Sequence, residues 1–150
     1  MVGHNYRMPN PLACLGLSQL RKLDALNKKR QTIASLYDNA LQKYEDNLRS
    51  PVVQKECTHV YQMYSITVDA ELRNPLVKHL NDNGVGASVH FDPPVHAQPY
   101  YKEHFPKIAL PVTDQLATQI VTLPIFPDMK ITEVNYVLEV IDDFMNKKLD

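Results

Sequence analysis

The chain has 150 residues, of which 44% are hydrophobic and 22% are charged, and its formal net charge is −1. This length suits one domain with a core of its own. A nearly neutral chain has no general electrostatic attraction to nucleic acid or to an anionic membrane, and we expect neither as a partner. Since no run of about 18 apolar residues and no apolar leader is visible, we expect a cytoplasmic protein.

The first predicted element is one long amphipathic helix over residues 11–46, after a lead-in segment of residues 1–10. Asn10 and Pro11 suit its start, because an asparagine can cap a helix and a proline has no N–H to leave unpaired. A charged run at 28–30 interrupts the apolar face and is either solvated surface or a break. The apolar residues recur every three or four positions, at 12, 15, 20, 23, 26, 33, 36, 37, 40, 41 and 44.

Residues 51–150 are predicted to alternate strands and helices. The segments 59–68, 87–91 and 120–126 are rich in β-branched and aromatic residues, which is typical of strands. Helices are expected from Asn74–Pro75 to a left-handed Gly84, from Thr113 to Gln119, and over 133–148. The prediction is therefore an α/β fold class, specifically an α+β small domain: a long helix, then a small, mainly antiparallel sheet of about three strands covered by helices.

The two cysteines, Cys14 and Cys57, stand far apart without the spacing of a zinc site or of a disulfide framework. We expect both to be buried as small apolar side chains. Signature motifs for nucleotide binding, metalloprotease or serine hydrolase chemistry are absent from the sequence. No catalytic residue and no metal ligand is therefore assigned.

The first candidate site is GHNYRM, residues 3–8, which leads into the predicted helix. Unpaired N–H groups at a helix start favour a phosphate or a carboxylate, and Asn5 and Arg7 add side-chain donors. This pattern indicates an anion site. The alternative is structural, with Arg7 in a salt bridge and Asn5 in a turn.

The second candidate is VHFDPPVHAQPYY, residues 89–101. Its prolines favour an extended loop, and His90, His96 and Tyr100 supply polar groups and flat surfaces for an organic ligand. In the preceding strand pattern, Ser88 and His90 face the same side. A rigid loop whose histidines only satisfy backbone carbonyls is the structural alternative, and a metal trio of His90, Asp92 and His96 is a third.

Two long segments carry a family resemblance. GHNYRMPNPLACLGLSQLRKLD resembles the segment at which sugar aminotransferases of the DegT/DnrJ/EryC1/StrS family enter their long C-terminal helix. GVGASVHFDPPVHAQPYY, followed by LPVTDQLATQIVTLPIFPDM, is similar to the small-domain sheet of the same family. The resemblance implies that residues 1–150 form the C-terminal small domain of a fold-type I enzyme, without the large catalytic domain.

The resemblance also implies an activity and residue roles. The family uses pyridoxal 5'-phosphate to transfer an amino group from an amino acid, with glutamate as the implied donor, to a keto nucleotide-sugar, and works as a homodimer. Asn5 matches an asparagine that reaches the cofactor phosphate across the dimer, and Arg7 matches an arginine offered to an anionic group of a substrate. His90 and His96 match residues that border the nucleotide-sugar pocket, and Tyr100 is a further substrate-binding residue by the same comparison.

One departure from the family limits the prediction. The chemistry needs a lysine amine and a carboxylate beside the cofactor ring, and no lysine in this sequence stands in the family's cofactor-lysine context. We therefore expect residues 1–150 alone to be inactive and the cofactor not to be covalently bound to them. A non-catalytic binding or dimerisation module is the alternative function, and a metal hydrolase built on His90 and His96 is a more distant one.

Overall fold

The computed structural model of the chain describes residues 6–105 and 108–149. In this part of the chain the helices are α1 (Asn10–Leu20), α2 (Leu23–Leu41), α3 (Ala70–Asp82), α4 (Pro99–His104), α5 (Pro111–Gln119) and α6 (Ile131–Leu149). The strands are β1 (Leu48–Arg49), β2 (Tyr64–Val68) and β3 (Ile120–Leu123). None of the described helices combines the length and apolar content needed to cross a bilayer.

The strands form one antiparallel sheet in the order β1-β2-β3. In the central pair, Tyr64 lies opposite Leu123 and Ser65 lies opposite Thr122. Side chains of β2 alternate between fully and partly buried, as expected for a strand with one face on the core. The predicted class, a long helical start followed by a small antiparallel sheet with helices on it, is confirmed.

The core lies where α2, α3 and α6 meet the sheet. Each helix contributes apolar side chains at spacings of three or four, which place them on one face. From the described residues these include Ile33, Tyr37 and Leu41 of α2, Leu76 and Leu80 of α3, and Val134, Val137, Ile141 and Met145 of α6. Gly84 ends α3 with a φ of 75°, while its N–H donates to Asn81 O and that of Val85 to Leu80 O, as predicted for a left-handed C-terminus.

Two buried tyrosines pack together at the centre of the core. The rings of Tyr37 and Tyr64 lie 4.9 Å apart. The Tyr37 hydroxyl donates to the carbonyl of Pro124 at 2.9 Å, and the Tyr64 hydroxyl donates to Asp38 Oδ1 at 2.6 Å. Burial raises the pKa of both phenols above its ordinary value of 10.0.

The single helix predicted over 11–46 is wrong, because the structure divides it into α1 and α2 at Arg21 and Lys22. No side chain of α1 is buried, whereas α2 buries Ile33, Ala34, Tyr37 and Leu41. The N-terminal half therefore makes no core packing among the described residues that would keep it in line with α2. Asn10 is also the first helical residue and not the cap, which is Pro9.

Other boundaries differ because local sequence signals fit more than one position. Residues 87–91 do not form a strand, and only Ser88 bridges to Thr122. Pro75 lies inside α3, which begins at Ala70, since an Asn-Pro pair fits the early turns of a helix as well as its start. Thr113 lies inside α5.

Cys14 and Cys57, expected to be buried, are both exposed free thiols. Cys14 belongs to the unburied helix α1, and Cys57 follows a turn outside the helices and strands. Small apolar size alone therefore did not predict burial at either position.

Replacing Tyr37 by Phe should destabilise the 150-residue chain by about 1 kcal/mol at pH 7, because the Pro124 carbonyl loses its donor. A phenol whose pKa is raised by folding stabilises the native state below its unfolded pKa, and this contribution is lost as the pH rises above 10.0. The variant should therefore lose less stability than the parent between about pH 9 and pH 11, the range that spans the pKa of an unfolded tyrosine.

Urea denaturation at each pH measures both effects. Tyr136→Phe is the matched control, because the Tyr136 hydroxyl also donates to a carbonyl, Asn83 O at 2.9 Å, but its side chain is exposed. It should cost less at pH 7. Equal losses in the two variants would contradict the importance of the buried position.

Candidate functional site

A cavity of about 460 Å³ lies beside the loop that follows Ser88, between α4 and α5. Its wall is mainly apolar and aromatic, with a few polar groups, which is the usual character of a small-molecule site. The lining residues are His90, Phe91, Pro94, Val95, His96, Tyr101, Phe105, Ile108, Leu110, Thr113, Leu116, Ala117 and Ile120.

His90 is held by the sheet. Its Nδ1 lies 3.2 Å from Thr122 Oγ1 and 3.4 Å from Ser88 Oγ. Thr122 Oγ1 in turn lies 3.0 Å from Oγ of Ser65, its partner across β2 and β3. Ser88 and His90 therefore face the same side, as their alternation predicted, and two hydroxyl groups, of Ser88 and Thr122, contact one edge of the imidazole.

His96 is held by α5. It sits in the 3-10 turn Val95–Ala97, and its Nε2 lies 2.8 Å from Oδ1 of Asp114, in the first turn of α5. The His96 side chain is only 14% exposed, whereas that of Asp114 is 53% exposed. Because a carboxylate can only accept, His96 Nε2 carries the hydrogen and donates it.

Arg73 of α3 holds the start of the same loop. Its Nη2 donates to Asp92 Oδ2 at 2.6 Å, and its Nε donates to the carbonyl of Thr118 at 3.3 Å. The Thr118 carbonyl lies in the last turn of α5, where carbonyl groups have no N–H partner within the helix. The Arg73 guanidinium supplies a donor for it. With a side chain 11% exposed, Arg73 joins α3, the loop and α5.

Sequence reasoning missed Arg73 and Asp114. Their partners lie 18 to 45 residues away along the chain, too far for a local pattern to reveal. One signal was available, since Arg73 stands three and seven residues before Leu76 and Leu80, on the buried stripe of α3. A charged side chain on a buried helix face needs an oppositely charged or hydrogen-bonding partner, so its position predicts one.

The histidines and Asp92 do not converge on a metal. Each has its own partner: Thr122 for His90, Arg73 for Asp92 and Asp114 for His96. Within residues 6–105 and 108–149, no group of three or more His, Cys, Asp or Glu side chains could hold an ion.

The predicted site residues divide into two sets. His90 and His96 line the same cavity. Tyr100 does not line it: its ring stacks on His104 at 4.2 Å, and the next residue along α4, Tyr101, lines the wall instead. Arg7 is exposed and is also absent from the lining, while Asn5 lies outside the described residues.

A family model, the DegT/DnrJ/EryC1/StrS aminotransferase family, matches residues 1–142. The chain belongs to this family. The match includes both histidines, the cavity and the helices that support them.

Solved structures of aminotransferases have the same fold. DesV from S. venezuelae, in complex with a ketimine intermediate, is 26% identical with a TM-score of 0.88, over 96% of this chain and 38% of that one. NtdA from Bacillus subtilis, with bound cofactor PMP, is 25% identical with a TM-score of 0.86, over 96% and 34%. The aminotransferase from Psychrobacter cryohalolentis, 22% identical with a TM-score of 0.89 over 100% and 42%, is similar in fold.

The chain thus spans between 34% and 42% of the length of these aminotransferases. Pyridoxal phosphate is the cofactor of the family, and its chemistry requires a lysine amine and a carboxylate beside the ring. The lining of the described cavity contains neither a lysine nor a carboxylate. The cavity by itself therefore does not fit the reactive part of the cofactor.

Arg73→Met should lower the free energy of unfolding by about 1 to 3 kcal/mol, because a charged donor is removed from both Asp92 and the Thr118 carbonyl. Residues 92–98 should also be cut faster by protease under native conditions, since the loop loses its tie to α3. Urea denaturation and limited proteolysis test the two effects.

Lys78→Met is the control on the same helix. Lys78 pairs with Asp82 through side chains that are 74% and 60% exposed, and such a pair contributes about 0.5 kcal/mol or less. If both variants unfold alike and the loop is cut no faster, Arg73 does not anchor it.

Proposed function

We propose that the chain is the C-terminal part of a pyridoxal-phosphate-dependent aminotransferase that transfers an amino group from an amino acid, glutamate, to a keto nucleotide-sugar in the biosynthesis of polysaccharides or sugar derivatives. The observation that carries the proposal is the family match over residues 1–142. The cofactor, when bound, acts as the electron sink for the transfer. The residues of this chain bind and orient substrates.

The cavity gives His90 and His96 a place in this function. Both line one concave, mainly apolar wall, and both are held by side chains outside it, Thr122 and Asp114. Rings fixed in this way can present a hydrogen-bonding nitrogen to a sugar without first being ordered. We assign them to the border of the nucleotide-sugar pocket.

The other site residues rest on the family comparison. Asn5 is proposed to contact the cofactor phosphate of the second subunit, and Arg7 to bind an anionic group of a substrate or amino donor. The exposed position of Arg7, ahead of the first turn of α1, leaves its guanidinium accessible for that contact. Tyr100, exposed on α4, is proposed to reach the substrate from outside the cavity.

The surface of α1 supports a larger assembly. Leu12, Leu15 and Leu20 are 57%, 57% and 64% exposed, and α1 buries no residue against the rest of the described chain. An apolar surface of this kind favours a protein partner. We propose that it packs in a homodimer of the intact enzyme, in the cytoplasm, with neither nucleic acid nor membrane as partner.

The same surface favours the alternative function. Without the part of the enzyme that supplies the lysine, residues 1–150 would act as a non-catalytic dimerisation module through α1. Sedimentation distinguishes this alternative, because a specific dimer that binds no nucleotide-sugar supports the module.

Residues 1–150 alone should neither transaminate a keto nucleotide-sugar with glutamate nor change the absorbance of added pyridoxal phosphate. A longer polypeptide that contains these residues and a cofactor lysine should do both. In that polypeptide, Asn5→Ala should weaken cofactor retention on dialysis by about tenfold, the effect of losing one hydrogen bond to a charged phosphate.

Asn10→Ala is the matched control, since Asn10 is an exposed asparagine five residues further along the chain and is not the N-cap of α1. It should retain the cofactor like the parent. Stable pyridoxal phosphate absorbance on residues 1–150 alone, or equal retention by the two variants, would contradict the proposed division of roles.

A further inference from the structure

The contact between His96 and Asp114 joins a residue that lines the cavity to one that lies outside the lining. The imidazole of His96 forms part of the wall. Asp114 is absent from the lining, and its Oδ1 lies 2.8 Å from His96 Nε2. Asp114 can therefore act on a ligand in the cavity only through the ring that it holds.

The chemistry of the pair fixes which nitrogen remains available. An ionised carboxylate has no hydrogen to donate, so the hydrogen lies on His96 Nε2. In a neutral imidazole the other nitrogen, Nδ1, is then an acceptor. An orienting carboxylate of this kind selects both the tautomer and the direction of a histidine.

Both members of the pair are held by their surroundings. Pro94 precedes the turn that carries His96, and its backbone φ of −63° is the one that its ring imposes. Asp114 N donates to Leu110 O within the first turn of α5, and Arg73 pairs with Thr118 O near the other end of that helix. Asp114 thus lies in the first turn of a regular helix whose last turn is tied to α3 by Arg73.

We propose that Asp114 is a positioning residue that holds His96 so that its Nδ1 accepts a hydrogen bond from a hydroxyl group of the sugar. This inference rests on the proposed function and specifies the group of the substrate that His96 recognises, a sugar hydroxyl. Phe91, Val95 and Leu116 make the surrounding wall apolar. An acceptor in such a wall favours a sugar that carries a hydroxyl at that point, because a ligand without one leaves the nitrogen unpaired.

The test uses the intact enzyme that contains residues 1–150, with L-glutamate as donor and UDP-linked and dTDP-linked 4-keto-6-deoxyhexoses as probes. Asp114→Ala should lower kcat/KM for the sugar about tenfold, mainly through KM, and leave kcat/KM for glutamate unchanged. Asp114→Asn, whose amide oxygen can still accept from Nε2, should stay within about threefold of the parent.

A double-variant cycle separates positioning from general support of the fold. His96→Gln should lower kcat/KM for the sugar about as much as Asp114→Ala, and adding Asp114→Ala to it should cause no further loss, because Asp114 acts through His96. Asp128→Asn is the control. Asp128 pairs with Lys29 on an exposed surface and does not line the cavity, so the variant should behave like the parent.

Three results would overturn the inference while the proposed function stands: an unchanged sugar kcat/KM in Asp114→Ala, an equal loss for glutamate, or additive losses in the double variant. A different result bears on the proposed function. If the parent enzyme aminates neither probe nor any other keto nucleotide-sugar, that function fails, and the role of Asp114 fails with it.

Discussion

The antiparallel pairing of β2 with β3 is the constraint on which both the core and the cavity depend. Its register sets Ser65 opposite Thr122 and Ile66 opposite Val121. A shift of one residue would exchange the two faces of a strand, moving Val121 out of the core and Thr122 away from His90. The position of His90 is thus determined by the same pairing that buries the apolar side chains.

The loop beside the cavity is attached to the rest of the fold at separate points. Thr122 holds His90 from the sheet, Arg73 holds Asp92 from α3, and Asp114 holds His96 from α5. Gln98 adds a local tie by donating to the carbonyl of Pro93 at 2.8 Å. The wall is therefore organised before any ligand arrives, which lowers the entropic cost of binding.

Features set by neighbouring residues were predictable from the sequence, and features set by distant ones were not. Gly84 ends α3 in the left-handed conformation, and β2 alternates, because each depends on a few adjacent residues. His90 and His96 were selected by residue type in a proline-rich loop, and both line the cavity. Apart from the nearby Ser88 hydroxyl, the contacts that orient them come from β3 and α5, and no local pattern contains those contacts.

The interruption at Arg21–Lys22 separates a helix that is not packed in the core, α1, from one that is, α2. Since α1 buries nothing and α2 is part of the core, a swing of α1 about this joint breaks no interior packing. Residues 6–9, including Arg7, precede α1 and would follow its direction while the sheet stays intact. A change of angle at this interruption would therefore alter the direction of α1 without disturbing the buried side chains of α2.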